Sequence, residues 1–387
     1  MAYTIQVYRS YTELPAQYAE LVTSHVSRTF FERSEWFEFL LQEIYDDDQL
    51  MALYALEDAA TGRLLMFVPM RYTLVDAAAR GANTVATLGH MENYTPACFL
   101  VAPGAENQRR EMMTELFTFL RQTQGGHTPE KADVVRLWPF EVGSSLGDDV
   151  YAALKTAGFL VQRYANSHNT YEDCAGQDFE QYMANRSANH RYNSRRRRRN
   201  LEKEGELEFV LVTNSQDRQV YDRAIDDYIL VSVHSWKPVG TTVSTPIIGL
   251  IHMAAEQGCL RLAILRLDGK PIAAQFWLIA GGVAAMMRPN YHSDYGKLAP
   301  GVVLTSFVIE HLLDVDHVES LDFGYGDDEY KSKWVSSYRS YEGLIAFNPT
   351  SVFGLLNAAK HILGRKVKRL LQGGRAANER PLRLELD

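Results

Sequence analysis

Two stretches in the C-terminal half combine residues able to hold an anion with residues able to move a proton. The first, YHSDYGKLAPGVVL (291–304), reads as strand, loop and helix. Pro300 suits a first helical turn, where its missing N–H costs nothing, and Gly301 lets main chain approach a ligand closely. The amides of Gly301, Val302 and Val303 would face outward at the positive end of a helix dipole, a site for a pyrophosphate, with Lys297 as an added point charge. Loops of this shape also serve simply to join a strand to a helix. The second stretch, LDFGYGDDEYKSKW (321–334), sets a carboxylate at the end of a buried strand ahead of two glycines. That is a common position for a functional group in an open α/β sheet. A desolvated Asp322 could serve as a base; the competing role is a cap on the turn that follows. Its DFG is not a kinase signal, because no HRD or VAIK companion exists.

The chain that must position these residues has 387 of them, 46% hydrophobic and 23% charged. Such a composition describes a folded protein of two or three domains and rules out a disordered or collagen-like one. Cys98, Cys174 and Cys259 lie far apart, which excludes a disulfide framework and a structural zinc site and fits a reducing cytoplasm. The opening MAYTIQVYRSYTELP shows no signal peptide. The apolar run 271–287 is interrupted by Gln275 and Gly281-Gly282 and is shorter than the ~20 residues of a spanning helix. It reads as a hairpin, and a soluble cytoplasmic protein without a transmembrane segment is expected.

The net charge of −8 is unevenly placed. Residues 186–199 hold seven arginines and 360–375 hold six basic residues, neither with an acid; without these thirteen cations the net charge would be −21. Such patches suit an anionic partner or are solvated helix faces. The arginine run is flanked by Asn and Ser rather than base-stacking aromatics, Tyr192 apart, so sequence-specific reading of nucleic acid is not expected. In the C-terminal helix, Leu355, Ile362, Leu363, Val367, Leu370 and Leu371 alternate with basic residues. This helix could lie peripherally on an anionic membrane surface or dock back on its own domain.

Periodicity predicts strands at 5–8, 50–56 and 64–72, helices at 13–24 and 111–121, a strand at 134–137 and a helix–strand pair across 150–164. The second half predicts one long polar helix over 179–204, strands at 207–212, 260–267, 272–279 and 283–291, and helices at 220–233, 247–257 and from 300 to 313. A strand at 320–323, another at 341–347 and a basic helix at 352–371 close the chain. DGKP (268–271) is a tight turn. YALEDAATGRLLMFVPM and AILRLDGKPIAAQFWLI share a pattern though little identity, which predicts a duplicated α/β unit. The expected organisation is 1–170, 171–350 and a basic helix and tail over 351–387.

DGKPIAAQ, an aromatic-rich strand, YHSDYGKLAPGVVL and LDFGYGDDEYKSKW, in that order, resemble the GNAT-fold acyltransferases of the FemAB and BioF2-like (CelD-type) group. FEQYMANRSANHRYNSRRRRRNLEKEG resembles the group's arginine-rich helix, and TFFERSEWF its early aromatic motif. The resemblance implies tandem GNAT-like α/β units with mixed sheets flanked by helices, the second holding the acyl donor. It further implies a metal-free N-acyltransferase moving an acyl group, acetyl in the first instance, from acyl-CoA to a small-molecule, glycan or peptide amine. The CoA pyrophosphate would sit on 297–303, and main chain at Met287 and Arg288 would polarise the thioester carbonyl. The loop shows KLAPGVV rather than the common Q/RxxGxG/A form, which leaves an aminoacyl-tRNA donor and a non-catalytic scaffold as alternatives.

An attacking amine with a pKa near ~10 must lose a proton. Asp322 is the first candidate base and His234 the second, although a histidine at a helix end also fits a cap. Tyr291, Tyr295 and Tyr330 are candidate proton donors to the leaving thiolate. Trp236 could wall the acceptor pocket or pack in the core, and Lys331 of the YK pair could face Asp322, an anionic substrate or solvent. GHMENY (89–94) resembles the family's acceptor loop, making Glu92 and Tyr94 substrate contacts; His90 and Glu92 form no HExxH motif, so no metal is expected.

Overall fold

The computed structural model describes residues 2–18, 21–22, 29–45, 49–79, 81–89, 97–122, 131–237, 243–326 and 328–371, with 362–371 as backbone only. The chain divides into two compact units. The first comprises Met1–Val26, Ser34–His168 and Ser340–Asp387; the second comprises Ser27–Arg33 and Asn169–Arg339.

In the first unit, β1 (Tyr3–Tyr8), β2 (Gln49–Asp58), β3 (Leu64–Asp76) and β4 (Ala82–Thr87) pair antiparallel in sequence order, and helix α1 (Ser34–Glu43) lies between β1 and β2 in the chain. The short β5 (Leu100–Val101) pairs with β3. Helix α2 (Arg109–Gln122) then crosses to β6 (Val134–Glu141), which runs parallel to β4. Helix α3 (Ser145–Thr156) leads to β7 (Leu160–Asp173). The returning strand β13 (Ser337–Phe347) lies antiparallel on β6, and helix α9 (Val352–Leu371) closes the unit. Strands β2 and β3 are buried at consecutive positions, Met51 to Leu56 and Leu64 to Val68, because both faces of this sheet are covered. Met112, Met113, Leu116, Phe117 and Leu120 supply the buried stripe of α2.

The second unit repeats this plan. Helices α4 (Phe179–Ala184) and α5 (Ala188–Glu204) precede β8 (Leu207–Val212), and α6 (Arg218–Val233) and α7 (Thr245–Glu256) lead to β9 (Leu260–Leu267). The strands β8, β9, β10 (Lys270–Ala280) and β11 (Val283–Tyr291) are antiparallel. Helix α8 (Pro300–Asp314) crosses to β12 (Ser320–Tyr325), parallel to β11, and the last residues of β7 pair antiparallel with β12. The two sequence segments of similar pattern form the β2–β3 and β9–β10 hairpins, the second and third strands of each unit. Asp268 and Gly269 both take positive φ, 49° and 75°, as a two-residue hairpin turn requires. The mixed α/β, duplicated architecture is as expected.

Two expected elements differ. The helix foreseen over 179–204 breaks at 185–187. Arg186 turns inward, and Ser187 starts a new helix by accepting from the His190 N–H at 3.2 Å. The helix foreseen over 13–24 begins instead as the 3-10 turns Tyr11–Glu13 and Ala16–Tyr18, separated by Pro15, whose ring prevents a continuous helix.

Helix α9 sits very close to the backbone beneath it. A Cβ at Gly354 would collide with the Asn348 carbonyl, and Asn357 Nδ2 donates to Ala79 O at 2.9 Å. Gly354→Ala brings a helix-propensity gain of about 1 kcal/mol, but a clash with main chain cannot be relieved by a rotamer change. A net destabilisation of about 1–3 kcal/mol is therefore expected, measured as a lower urea midpoint with an unchanged slope.

Candidate active site

The central feature of the second unit is a parallel ladder that ends early. Strands β11 and β12 pair at Val283↔Ser320, Ala284↔Leu321 and Ala285↔Asp322. Beyond that point both continue, to Tyr291 and Tyr325, without further pairing to each other. On its other side β11 bulges against β10: Met287 opposes Phe276 and Asn290 opposes Ala274, so Arg288 and Pro289 face Gln275 alone. Arg288 takes φ +40°, unusual for a residue with a Cβ. Lys237 donates to the Pro289 carbonyl at 2.6 Å. Met287 and Arg288 thus lie where main chain leaves regular pairing.

Asp322 occupies the last rung. It accepts from Asn169 Nδ2 at 2.9 and 3.1 Å and from the Gly324 N–H at 2.7 Å, so it also caps the turn after it. Burial raises its carboxyl above the ordinary value, against the opposing pull of Gly324, Asn169, Arg339 and Lys331. Lys331 donates to Tyr325 O, and its charge acts on Asp322. Burial lowers the Lys237 ammonium; Asp328 opposes this and Lys331 adds to it.

Tyr330 belongs to a polar chain in the core. The Thr305 hydroxyl donates to Gln275 Oε1 at 3.2 Å, which leaves it to accept from Tyr330 OH at 2.6 Å. Burial pushes Tyr330 up to about 12, so it keeps its proton at neutral pH. Gln275 is buried, and its Nε2 has no hydrogen-bond partner among the described residues.

The loop after β11 is organised around Tyr291. A Cβ would lie 3.3 Å from its ring at Gly296 and 3.7 Å from it at Gly301. Helix α8 starts after Ala299, itself in the left-handed region at φ 53°, and no side chain caps its tip. Val302 N–H turns back on Ala299 O at 3.1 Å. Gly301 and Val302 are partly exposed, Lys297 is exposed and Val303 is buried. Tyr295 packs edge-on to His292, with ring centroids 5.6 Å apart.

His234 caps the end of α6 and is carried to this loop. Its ring stacks on His292 at 4.9 Å, its Nδ1 contacts Leu230 O at 2.9 Å, and its carbonyl accepts from Ser293 Oγ at 2.8 Å. Trp236 is 64% exposed and is not a core residue. Glu92 and Tyr94, with His90, lie outside the described residues. Among the described residues no cluster of His, Cys, Asp and Glu could hold a metal ion. Asn169, Lys237, Gln275, Thr305 and Arg339 were given no role at the site by sequence analysis, although Gln275 closes the motif DGKPIAAQ.

The arginine helix α5 borders α4 and α8 along an open groove of about 470 Å³, lined by Arg191, Arg195 and Arg198 and, on α8, by Val303 and Phe307. Arg198 lies 4.5 Å over the Phe307 ring. At the other end, the buried Arg186 donates to Trp334 O at 2.8 Å and pairs with the half-buried Glu172, which also accepts from Ser336 N and Oγ at 2.6 and 2.7 Å. These bonds fix the segment that follows Tyr330 and Lys331.

Residues 188–332 match the family model described as an acetyltransferase (GNAT) domain. No curated protein matches the chain. Among solved structures, FemX is similar with a TM-score of 0.59 at 10% identity, over 92% of this chain and 100% of that one. A conserved protein of unknown function from Bacteroides thetaiotaomicron VPI-5482 is similar with a TM-score of 0.51 at 10% identity, over 89% and 99% of the two chains. At such identity the likeness shows the fold. The second unit matches the GNAT domain and the chain shares its fold with FemX, as its motifs implied. The family match and the fold support acyl transfer in general and name neither donor nor acceptor.

Burial holds His190 down to about 4, with repulsion from Arg186, Arg197 and Lys333 adding to the effect; its ring meets Trp334 edge-on at 4.4 Å. A folded-state value below the ordinary 6.5 means the unfolded chain binds the proton first, so stability is lost as pH falls from about 6.5 towards 4. Urea midpoints across that window should fall in the native protein, and His190→Gln should flatten part of that slope; an unchanged slope would contradict the assignment.

Proposed function

We propose that the second unit transfers an acyl group from a CoA thioester to an amine. The observation that supports this most is the early end of the β11–β12 ladder. Where β11 and β12 part, an extended amide-bearing chain such as pantetheine can run between them and pair with main chain as a further strand would. On this reading the amides near Met287 and Arg288 face the thioester carbonyl, whose oxygen gains negative charge as the amine attacks. The uncapped start of α8, at Gly301, Val302 and Val303, receives the pyrophosphate with help from Lys297. The arginines of the α5 groove extend the cationic surface towards the phosphorylated end of the donor.

The amine nitrogen forms a bond to the carbonyl carbon, the C–S bond breaks, and the amine proton passes to a base. Asp322 suits that role, since burial raises its proton affinity; His234 is the second candidate, through a water. Tyr330, protonated at neutral pH, or Tyr291 returns a proton to the thiolate. Lys331 holds a negatively charged part of the acceptor, with Glu92, Tyr94 and Trp236 as further acceptor contacts. The acceptor class is a small-molecule, glycan or peptide amine.

The KLAPGVV loop and the cationic groove favour, as a second reading, an aminoacyl-tRNA donor used to build a peptide bond. Titration calorimetry separates the two: the proposal expects saturable heat with CoA and none with charged tRNA. Asp322→Asn should lower kcat on the order of 10²- to 10⁴-fold with CoA affinity unchanged. Full turnover in that variant would remove Asp322 as the base, and binding without turnover in the native protein would favour a scaffold.

A further inference from the structure

Helix α9 is amphipathic in the inverse of the usual sense. The face it buries carries Gly354, Asn357 and Ala358, while Val352, Leu355, Leu356 and Ala359 are exposed. Val352 is 72% exposed and Leu356 49%. These four recur at the i, i+3, i+4, i+7 spacing of a single helical stripe. In sequence the spacing continues through Ile362, Leu363, Val367 and Leu370.

The exposed stripe is held out by a rigid seat. Asn357 donates to Ala79 O and to Phe353 O, both at 2.9 Å. Gly354 N–H donates to Ser351 Oγ at 3.3 Å, and Ser351 in turn bonds Asp133. The helix cannot roll to bury Leu355 and Leu356 without breaking the bonds from Asn357 to Ala79 O and from Ser351 to Asp133. A second feature extends the apolar surface: Val75 is 69% exposed and has φ +51°, a strained setting for a β-branched residue. Val75 and Phe353 approach the same point on Gly81, 3.6 and 3.8 Å from where its Cβ would be.

The charges decide what covers this surface. The helix contains Lys360, Arg365, Lys366, Lys368 and Arg369 and no acid, in a chain of net charge −8. A second copy docked on the stripe would set one group of cations against another. No described helix is long and apolar enough to cross a membrane. An exposed apolar stripe on a helix whose sequence is basic and free of acid fits the boundary of an anionic bilayer, where acyl chains take the leucines and headgroups attract the cations. We infer that α9, with Val75 and Phe353 beside it, is a docking surface for an anionic lipid membrane. This inference does not depend on the proposed donor or on the reaction.

Co-sedimentation of the full chain with phosphatidylcholine vesicles containing roughly one-third phosphatidylglycerol tests it. The expected result is binding that weakens as salt rises and is absent with pure phosphatidylcholine. The double variant Leu355→Glu/Leu356→Glu should bind on the order of tenfold more weakly or worse. Its thermal midpoint should match the native protein, since both positions are exposed. Equal binding by the double variant, equal binding to neutral vesicles, or no vesicle binding would overturn the inference. So would a concentration-dependent dimer abolished by the double variant, which would assign the face to a second copy. Vesicle binding that appears only after removal of residues 372–387 would assign it to that tail.

Discussion

The second unit depends on a parallel strand pair that stops pairing while both strands continue. Main-chain donors and acceptors inside a sheet need partners, and here some come from outside the β11–β12 ladder. Pro289 brings no N–H to the bulge, and its carbonyl is taken by Lys237. Asn290 is held by Ser232 at 2.9 Å. On the facing strand, Asn169 and Gly324 bind the Asp322 carboxylate. The opening is therefore a built feature, stabilised from both sides, and beside it the buried Gln275 Nε2 has no hydrogen-bond partner among the described residues.

A buried polar corner holds the segment that completes this opening. Arg186 and Glu172 form an ion pair whose desolvation is offset by Ser336, by the Trp334 carbonyl and by the Tyr182 ring, 4.8 Å from the Arg186 guanidinium. Removing one member would leave the other charge buried, a cost of about 3–5 kcal/mol. This corner also explains why α4 and α5 are separate helices: the residue that breaks them is the one that turns in to make the pair. The arginines of α5 are exposed or half-exposed, and Arg191, Arg195 and Arg198 border the groove, so one arginine-rich run serves both anchoring and charge presentation.

Much of the fold was legible because its signals are local. The Asp268-Gly269 turn, the paired hairpins and the strand–loop–helix of 283–314 each rest on a few adjacent residues with clear φ or periodicity requirements. The duplication was visible because the same hairpin pattern occurs at 54–70 and 263–279. The break at 185–187 was not, since a polar helix and a polar corner have the same composition, and only the distant Glu172 and Trp334 reveal the difference. The pairing of β13 with β6 is likewise set by partners some two hundred residues away in sequence, as in Phe347↔Val134. At the site, Asp322 and the α8 start could be found from strand-end chemistry. Lys237 could not, because its partner is a backbone carbonyl. Pro289 in a strand flanked on both sides was a readable sign of the bulge. The inversion of α9 needed knowledge of which face is buried.

The central claim, that the stretch of β11 beyond its ladder with β12 and the start of α8 receive the donor together, is tested most directly by amide hydrogen exchange with and without CoA. The account predicts slower exchange at Met287, Arg288, Gly301 and Val302 when CoA is present, with the β2–β3 hairpin unaffected. Unchanged exchange at these four amides under saturating CoA, or protection confined to other strands, would contradict it.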